Sequence, residues 1–410
     1  WGALAKRPLD NKVGGTGQAP NGQKMLCGAK YGEREMPKHV VFLVPGFFGF
    51  TQLGSLNYFR GVADALSTAL RARDIDASVV ECATQPTGSI RSRADELLQQ
   101  ILAHPETPNA EHLHLVGHST GGLDVRLLVT PGVRLRPGRE EEQIGQRVRS
   151  VITVSTPHHG TPLANHFTTL QGRYILEILT LLATSKQGRI AVFAAAQSLA
   201  LVARLDDWMG RRNTMLDWLA EGLLRRIRID QDDPFWHFLR QVASDQGAII
   251  QLTPEGMNLF DAAVTDRSGV DYRCVLTAAP APIANELGEM LHPVGAAMIG
   301  LFAALHTLTA REHRHYPYPQ PQPEVMRALQ ESLPFLLDRR ANDGIVPSLS
   351  QVHGRPLAAV VADHLDVVGQ YKRFDGDRVN DWLPSGAPFG DAEFVALWQR
   401  IADAIVEASA

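Results

Sequence analysis

The chain has 410 residues, of which 44% are hydrophobic and 20% charged, so it can bury a sizeable core and is not an intrinsically disordered protein. Its formal net charge of -4, with no block of lysines and arginines, excludes the basic surface of a nucleic-acid-binding protein. A single α/β domain often has about 250 residues, so we expect one core with large insertions.

Residues 1–38 differ in composition from the rest of the chain. They contain five of its seven lysines and a glycine-rich stretch, whereas the remainder relies on arginine. We expect an N-terminal extension over residues 1–38 and a folded domain over residues 39–410. The start at Trp1, without an apolar leader pattern, indicates a signal peptide that is either removed or never present.

From residue 39 onward, short apolar runs alternate with helical patterns, which is typical of βαβ units and a mostly parallel sheet. The alternation stops at residue 161, where a helical insertion of about 161–250 begins, and a second helical insertion covers about 280–340. We therefore predict an α/β fold whose sheet is flanked by helices, with the first insertion as a lid or cap. Strands are predicted at 39–44, 77–80, 112–116, 148–154, 272–277 and 357–362, and helices at 58–73, about 92–102, 122–129 and 391–408.

The uncharged stretch 290–310 is the strongest candidate for a membrane segment. Histidines, glycines and Pro293 interrupt it, whereas a membrane-spanning helix needs about 20 mostly apolar residues. We interpret it as a buried or surface-active helix and expect a soluble protein.

The segment Gly117-His118-Ser119-Thr120-Gly121 fits the G-x-S-x-G nucleophile elbow. This elbow needs an apolar strand before it and a helix after it, and both are predicted here. The alternative is an ordinary Gly/Ser turn between two elements. Because the context is complete, we predict Ser119 as the nucleophile.

A serine nucleophile needs a histidine base and a carboxylate that orients it, and in this type of elbow the order along the chain is Ser, Asp or Glu, His. His364 directly follows the last predicted strand, whereas His353 precedes it, so His364 is the predicted base. Asp343, in a polar turn 21 residues earlier, is the predicted acid. Asp338 is the alternative acid, and plain Asp-Gly turn chemistry is the alternative explanation for Asp343.

Two backbone N–H groups must bind the oxyanion that forms when the serine attacks a carbonyl carbon. The residue after the nucleophile, Thr120, supplies one of them, and the loop after an early strand supplies the other. Residues 44–50 fit that loop, with Phe47 as the donor. Phe48 and His118 are expected to contact the substrate.

Several segments together resemble the bacterial triacylglycerol lipases and carboxylesterases of the α/β-hydrolase fold, in the order in which that family has them. The resemblance implies hydrolysis of carboxylic esters of apolar acyl chains through an acyl-enzyme on Ser119, with Asp343 and His364 as partners. It also slightly favours a secreted protein. The segments are 45–50, 117–122, 155–161, 252–256, 342–347 and 364–366.

The chain departs from the family pattern in two places. Pro45-Gly46 stands where the family usually has His-Gly, which keeps the donor at Phe47 but removes a polar neighbour. Family members often bind a structural calcium through an aspartate two residues past the catalytic histidine. Asp366 matches that position without an identifiable partner carboxylate, so no metal and no cofactor is predicted, and calcium near Asp366 stays an option.

Other histidines and the cysteines give weaker indications. The pairs at 158–159 and 313–315 lack cysteines or carboxylates at ligand spacing, so we interpret them as surface or loop residues rather than metal ligands. The three cysteines are too widely spaced for a disulfide framework or a zinc site.

Three functions remain open: an ester hydrolase that acts on lipids or polyesters, an acyltransferase with the same triad, and a non-catalytic protein that binds an apolar ligand. The pairing of Asp343 with His364 favours catalysis, because a binding protein needs neither. The expected partner is a small-molecule, lipid or polymer ester. The sequence leaves open the length of the acyl chain and the oligomeric state of the protein.

Overall fold

A computed structural model of the chain describes residues 39–47, 52–53, 56–167, 247–282, 293–311, 318, 320–372, 374–375, 378–379 and 381–410. Phe48, the extension over residues 1–38 and most of the insertion at 161–250 lie outside these described residues. The predictions made for them therefore stay predictions.

Six parallel strands form the central sheet, in the spatial order β2-β1-β3-β4-β5-β6. All six strands predicted from the sequence are present, and this sheet with helices on both faces is that of an α/β-hydrolase. In chain order the strands are β1 (His39–Val44), β2 (Ala77–Glu81), β3 (His112–His118), β4 (Val148–Val154), β5 (Asp271–Ala278) and β6 (Arg355–Val361). Two short antiparallel pairs, Gln52–Leu53 with Leu56–Asn57 and Phe374–Asp375 with Arg378–Val379, lie apart from it.

Every residue of β1 is buried, since a central parallel strand is covered on both faces and so reads as a continuous apolar run. The register pairs Val44 at the end of β1 with Gly117 in β3. This pairing brings the loop after β1 and the loop after β3 to the same edge of the sheet.

Helices cover both faces of the sheet. The helices are α1 (Val62–Arg71), α2 (Ile90–Ala103), α3 (Thr120–Val129), α4 (Glu140–Arg147), α5 (Pro162–Phe167), α6 (Gly247–Gln251), α7 (Pro254–Ala263), α8 (Pro293–Thr309), α9 (Pro323–Glu331) and α10 (Asp391–Ser409). Side chains of α1 and α10 pack with Val41 and Leu43 of β1, whereas those of α2 and α3 pack with Val40, Phe42 and Val44. Because side chains alternate along a strand, these two sets lie on opposite faces.

The helix predicted over 58–73 begins only at Val62. Gly61 has a φ of 74°, a left-handed conformation that does not continue a helix and that glycine adopts readily. The residues before it, including Tyr58, therefore belong to a loop, and this loop contacts the candidate site.

The described ends of the first insertion, α5 and α6, lie close together. The Thr161 N–H donates to the Leu252 carbonyl oxygen at 2.9 Å, so the segment leaves and rejoins the domain at one place. The segment between them lies outside the described residues, so its role as a lid stays a prediction.

The second insertion contains α8 and α9. Leu301, Phe302 and Leu305 of α8 are buried, which agrees with a helix that packs on the domain. Within the described ranges, no helix reaches the length and apolarity that a membrane span requires.

Candidate active site

Four predicted site residues lie in loops at the carboxyl edge of the sheet. Phe47 follows β1, Ser119 follows β3 and His364 follows β6. Asp343 lies between β5 and β6 and is tied to the end of β5, because the Ala279 N–H donates to the Asn342 carbonyl oxygen at 2.9 Å. Loops at this edge of an open parallel sheet commonly form the ligand site.

Ser119 stands at a sharp turn between β3 and α3. Its φ of 53° and ψ of −130° are strained for a residue with a side chain, and its N–H donates to the Val154 carbonyl oxygen at 2.9 Å. The turn needs glycine two residues later, since a Cβ at Gly121 would overlap the Val44 and Pro45 carbonyl oxygens. This geometry matches the nucleophile elbow expected from the sequence.

Asp343 and His364 are in direct contact. The His364 Nδ1 lies 2.9 Å from the Asp343 Oδ2, and the His364 N–H donates to the Asp343 carbonyl oxygen at 3.0 Å. Both residues are buried. Their contact leaves the His364 Nε2 as the ring nitrogen that can serve as a base.

The Asp343 carboxylate accepts four further hydrogen bonds. The Ile345 and Val346 N–H groups donate to its Oδ1 at 2.9 and 2.7 Å. Thr277 Oγ1 and Gln351 Nε2 donate to its Oδ2 at 2.7 and 3.2 Å. Thr277 and Gln351 were not among the predicted site residues, since no local pattern distinguishes a strand threonine that binds a distant carboxylate.

The alternative residues lie elsewhere. Asp338 is exposed and accepts the Arg340 and Ala341 N–H groups, which is turn chemistry. His353 contacts Asp266, with its Nε2 3.0 Å from the Asp266 Oδ1. These hydrogen bonds of Asp338 and His353 do not involve the Asp343–His364 pair.

His118 is buried directly before Ser119, and its ring centroid lies 4.8 Å from that of His364. The His118 Nδ1 lies 2.7 Å from the Tyr58 Oη, and its Nε2 lies 2.8 Å from the His364 carbonyl oxygen. Burial, followed by the proximity of His364, holds the pKa of His118 well below its usual range. Both ring nitrogens of His118 therefore contact protein groups, and substrate contact by His118 stays a prediction.

A buried arginine that the sequence analysis missed holds the candidate oxyanion loop. Arg93 of α2 donates to the Pro45 and Gly46 carbonyl oxygens at 2.7 and 3.1 Å, and its Nε donates to the Asp124 Oδ2 at 2.9 Å. Burial raises the pKa of Asp124 to about 6, although Arg93 opposes the shift.

In a trans peptide the C=O and the following N–H point in opposite directions, so the Phe47 N–H is directed away from Arg93. Thr120, the other predicted donor, is the first residue of α3.

Asp366, the candidate calcium ligand, is buried beside Asp363. Its Oδ2 accepts the Asp363 N–H at 2.8 Å, and the Asp363 Oδ1 accepts the Leu365 and Asp366 N–H groups. Burial raises the pKa of Asp363 well above its usual range, and the charges of Asp366 and Asp381 add to the shift. These carboxylates hold the loop through their own hydrogen bonds, and they do not form a set of metal ligands as they stand. Among the described residues no group of three or more His, Cys, Asp or Glu side chains could hold a metal ion, and calcium near Asp366 stays an untested option.

Part of the chain is similar to known esterases and lipases. Residues 34–202, less than half of the chain, match the family described as “Putative serine esterase (DUF676)”. The triacylglycerol lipase of Pseudomonas fragi is 31% identical over 128 residues, which are 31% of this chain and 38% of that protein. The triacylglycerol lipase of Vibrio cholerae is 29% identical over 128 residues, which are 31% of this chain and 35% of that protein.

The match therefore spans little more than a third of the length of these curated relatives. Among solved structures, the lipase of Staphylococcus hyicus aligns over 92% of this chain and 97% of its own, with a TM-score of 0.49 and 18% identity.

Proposed function

We propose that this chain, a lipase- and esterase-like α/β-hydrolase, hydrolyses carboxylic esters through an acyl-enzyme on Ser119. One observation carries the proposal: the His364 Nδ1 contacts the Asp343 carboxylate at 2.9 Å. The His364 carbonyl oxygen contacts the ring of His118, the residue directly before the serine at the strained strand-to-helix turn. A buried histidine oriented by a carboxylate is what a serine hydroxyl needs to become a nucleophile.

The proposed reaction has two halves. The Ser119 Oγ attacks the ester carbonyl carbon while its proton passes to the His364 Nε2, and the Phe47 and Thr120 N–H groups bind the oxyanion. The leaving alcohol takes the proton from His364, and the acyl-enzyme remains. Water then attacks the acyl carbon with His364 again as the base, which releases the acid and restores the Ser119 hydroxyl.

The Asp343 carboxylate keeps the Nδ1–H tautomer of His364 and stabilises the imidazolium that forms in each half. Its two oxygens already accept backbone and side-chain donors, so it is fixed in place before substrate binds. This preorganisation supports an orienting role for Asp343 rather than proton transfer.

The surroundings of the pair support an apolar acyl chain as the substrate part that binds there. Leu301, Phe302 and Leu305 of α8 form a hydrophobic cluster with Leu163. Ile345, two residues after the proposed acid, and Leu365, directly after the proposed base, pack against this cluster. A small-molecule site is typically a largely apolar cleft with a few placed polar groups.

Labelling with a fluorophosphonate probe tests the proposal. We expect the wild-type chain to be labelled and to hydrolyse a p-nitrophenyl ester, and Ser119→Ala to lose labelling and about 10⁴-fold or more in turnover. Ser150→Ala removes another buried serine hydroxyl, on β4, and is expected to keep both activities. Labelling that persists in Ser119→Ala would refute the assignment, and a wild-type chain that is neither labelled nor active would refute ester hydrolysis.

A series of esters with rising acyl length tests the apolar substrate. We expect kcat/KM to rise from acetate toward longer chains. A series that falls from acetate onward would exclude a long apolar acyl group.

A further inference from the structure

A chain of three buried hydrogen bonds joins the two loops that flank Ser119. The Gly46 N–H donates to the Tyr58 Oη at 2.8 Å, the Tyr58 Oη lies 2.7 Å from the His118 Nδ1, and the His118 Nε2 lies 2.8 Å from the His364 carbonyl oxygen. Tyr58 and His118 are both buried. We call this set the Tyr58–His118 bridge.

The chemistry of the end groups fixes where each proton lies. A carbonyl oxygen only accepts, so the His118 Nε2 carries a hydrogen. Burial keeps His118 neutral because it holds the pKa of His118 well below its usual range, and the Nδ1 is therefore bare. Burial also raises the pKa of Tyr58 well above its usual range, so Tyr58 remains a phenol and donates to that Nδ1. Every polar group of the bridge thus has a partner in one consistent direction.

At one end, the bridge completes the fixation of the oxyanion loop. Gly46 is held at its N–H by Tyr58 and at its carbonyl oxygen by Arg93. With both sides of Gly46 held, the direction of the next N–H, that of Phe47, is set. The packing is close, since a Cβ at Gly46 would overlap the Ser119 side chain.

At the other end, the bridge completes the fixation of the proposed base. The His364 N–H donates to the Asp343 carbonyl oxygen, and the His364 carbonyl oxygen accepts from His118. Both backbone groups of His364 are therefore held, in addition to the bond between its ring and Asp343.

We infer that Tyr58 and His118 are positioning residues, which hold the oxyanion loop and the His364 loop at a fixed separation across Ser119. The inference rests on the proposed function. Neither residue exchanges a proton in the reaction, since His118 is neutral and its two nitrogens are committed. A displacement of about 1 Å between reacting groups can cost on the order of 10²-fold in rate, so a bridge that prevents such a displacement affects turnover directly.

Tyr58→Phe tests the bridge, because it removes only the hydroxyl and keeps the ring that contacts Phe59 and His118. We expect kcat to fall about 10–100-fold with little change in KM. A trifluoromethyl ketone, which forms a tetrahedral adduct with an oxyanion, should bind more weakly by a similar factor. The dependence of kcat/KM on pH should keep its wild-type form at acid pH, since no group of the Tyr58–His118 bridge titrates.

Tyr272→Phe is the matched control. Tyr272 is also a buried tyrosine whose hydroxyl accepts a backbone N–H, that of Arg267 at 2.9 Å, but it belongs to β5 outside the bridge. Tyr272→Phe and Tyr58→Phe should change the melting temperature by similar amounts, because each removes a buried hydroxyl. Tyr272→Phe should leave kcat unchanged.

The His118 variants test the other end and remain informative if Tyr58→Phe folds poorly. His118→Gln keeps an N–H donor that can reach the His364 carbonyl oxygen, whereas His118→Phe has none, so His118→Phe should lose more in kcat. If both His118 variants and Tyr58→Phe keep the wild-type kcat per folded molecule, the bridge is merely structural and the inference is wrong. Absence of turnover and labelling in the wild type would instead refute the proposed function.

Discussion

Ser119 and Asp343 lie at the same edge of the sheet, but close backbone packing holds the first, whereas hydrogen bonds from backbone and side-chain donors hold the second. The Ser119 turn depends on the close approach of Gly121 to the Val44 and Pro45 carbonyl oxygens at the end of β1. The Asp343 carboxylate accepts the nearby Ile345 and Val346 N–H groups and also binds Thr277 and Gln351, which reach it from β5 and from the segment before β6. The site therefore combines a turn that close backbone contacts hold with a carboxylate that partly depends on residues distant in the sequence. We expect the two to respond differently to substitution.

Replacing the acid should give the largest effect. Asp343→Asn is expected to fold but to lose about 10⁴-fold in kcat, because the carboxylate no longer selects the Nδ1–H tautomer of His364. Steady-state kinetics on a short-chain ester measure the loss, and circular dichroism checks the fold. Asp338→Asn is the control, since Asp338 only binds the Arg340 and Ala341 N–H groups, and it should be near wild type. If Asp338→Asn were the damaging variant, the acid would be misassigned.

The same contrast explains which parts of the site could be predicted from the sequence. The elbow at Ser119 requires glycines at fixed short spacing, so a local pattern shows it. His364 and Asp343 follow from chain order and from the position of the last strand. The fully buried strands, such as β1, could be predicted because burial on both faces demands an apolar run.

The supporting residues could not be predicted, because their partners are distant in sequence. Thr277 is 66 residues from Asp343, and Arg93 is 48 residues from Pro45. A threonine in a strand or an arginine in a helix is ordinary in its local context. Only the fold shows that Arg93 is fully buried and binds the loop carbonyl oxygens.

Weakening the support of the oxyanion loop should have an intermediate effect. Arg93→Lys keeps the charge but cannot bind Asp124 and both carbonyl oxygens with one fork of donors, so the loop should loosen. We expect kcat to fall by on the order of 10²-fold or less, with a smaller change in KM. Initial rates over a range of ester concentrations measure both kcat and KM.

Arg267→Lys is the control for charge and packing. Arg267 also binds a backbone carbonyl oxygen, that of Val129, and a carboxylate, that of Glu142, but at the junction of α4 with the segment before β5. It should lower the melting temperature without changing kcat. An equal loss of kcat in both variants would show that Arg93 acts on the whole fold and not on the loop.

Removing one of the donors to Asp343 should have the smallest effect. Thr277→Val deletes the hydroxyl that donates to the Asp343 Oδ2 at 2.7 Å and that contacts the Ser155 Oγ at 2.8 Å. His364 and Gln351 still bind that oxygen, so the carboxylate keeps most of its partners. A hydrogen bond to a charged group contributes about 1.5–3 kcal/mol, and with the other donors in place we expect about a tenfold loss in kcat/KM. Thr277→Ser should restore the rate, and Thr130→Val, at a buried threonine of the α3 terminus, should leave it unchanged.

A double substitution separates positioning from general damage. If Thr277 acts only through the carboxylate, Thr277→Val should cost little in an Asp343→Asn background, because the group that it orients is already ineffective. Rates of the four proteins of this cycle, measured on one ester, give the coupling directly. A full tenfold loss in the double variant would mean that Thr277 acts on β5 or on Ser155 and not on the acid. The side-chain network around Asp343 would then contribute to stability, and the three backbone contacts, from Ile345, Val346 and His364, would suffice to hold the acid.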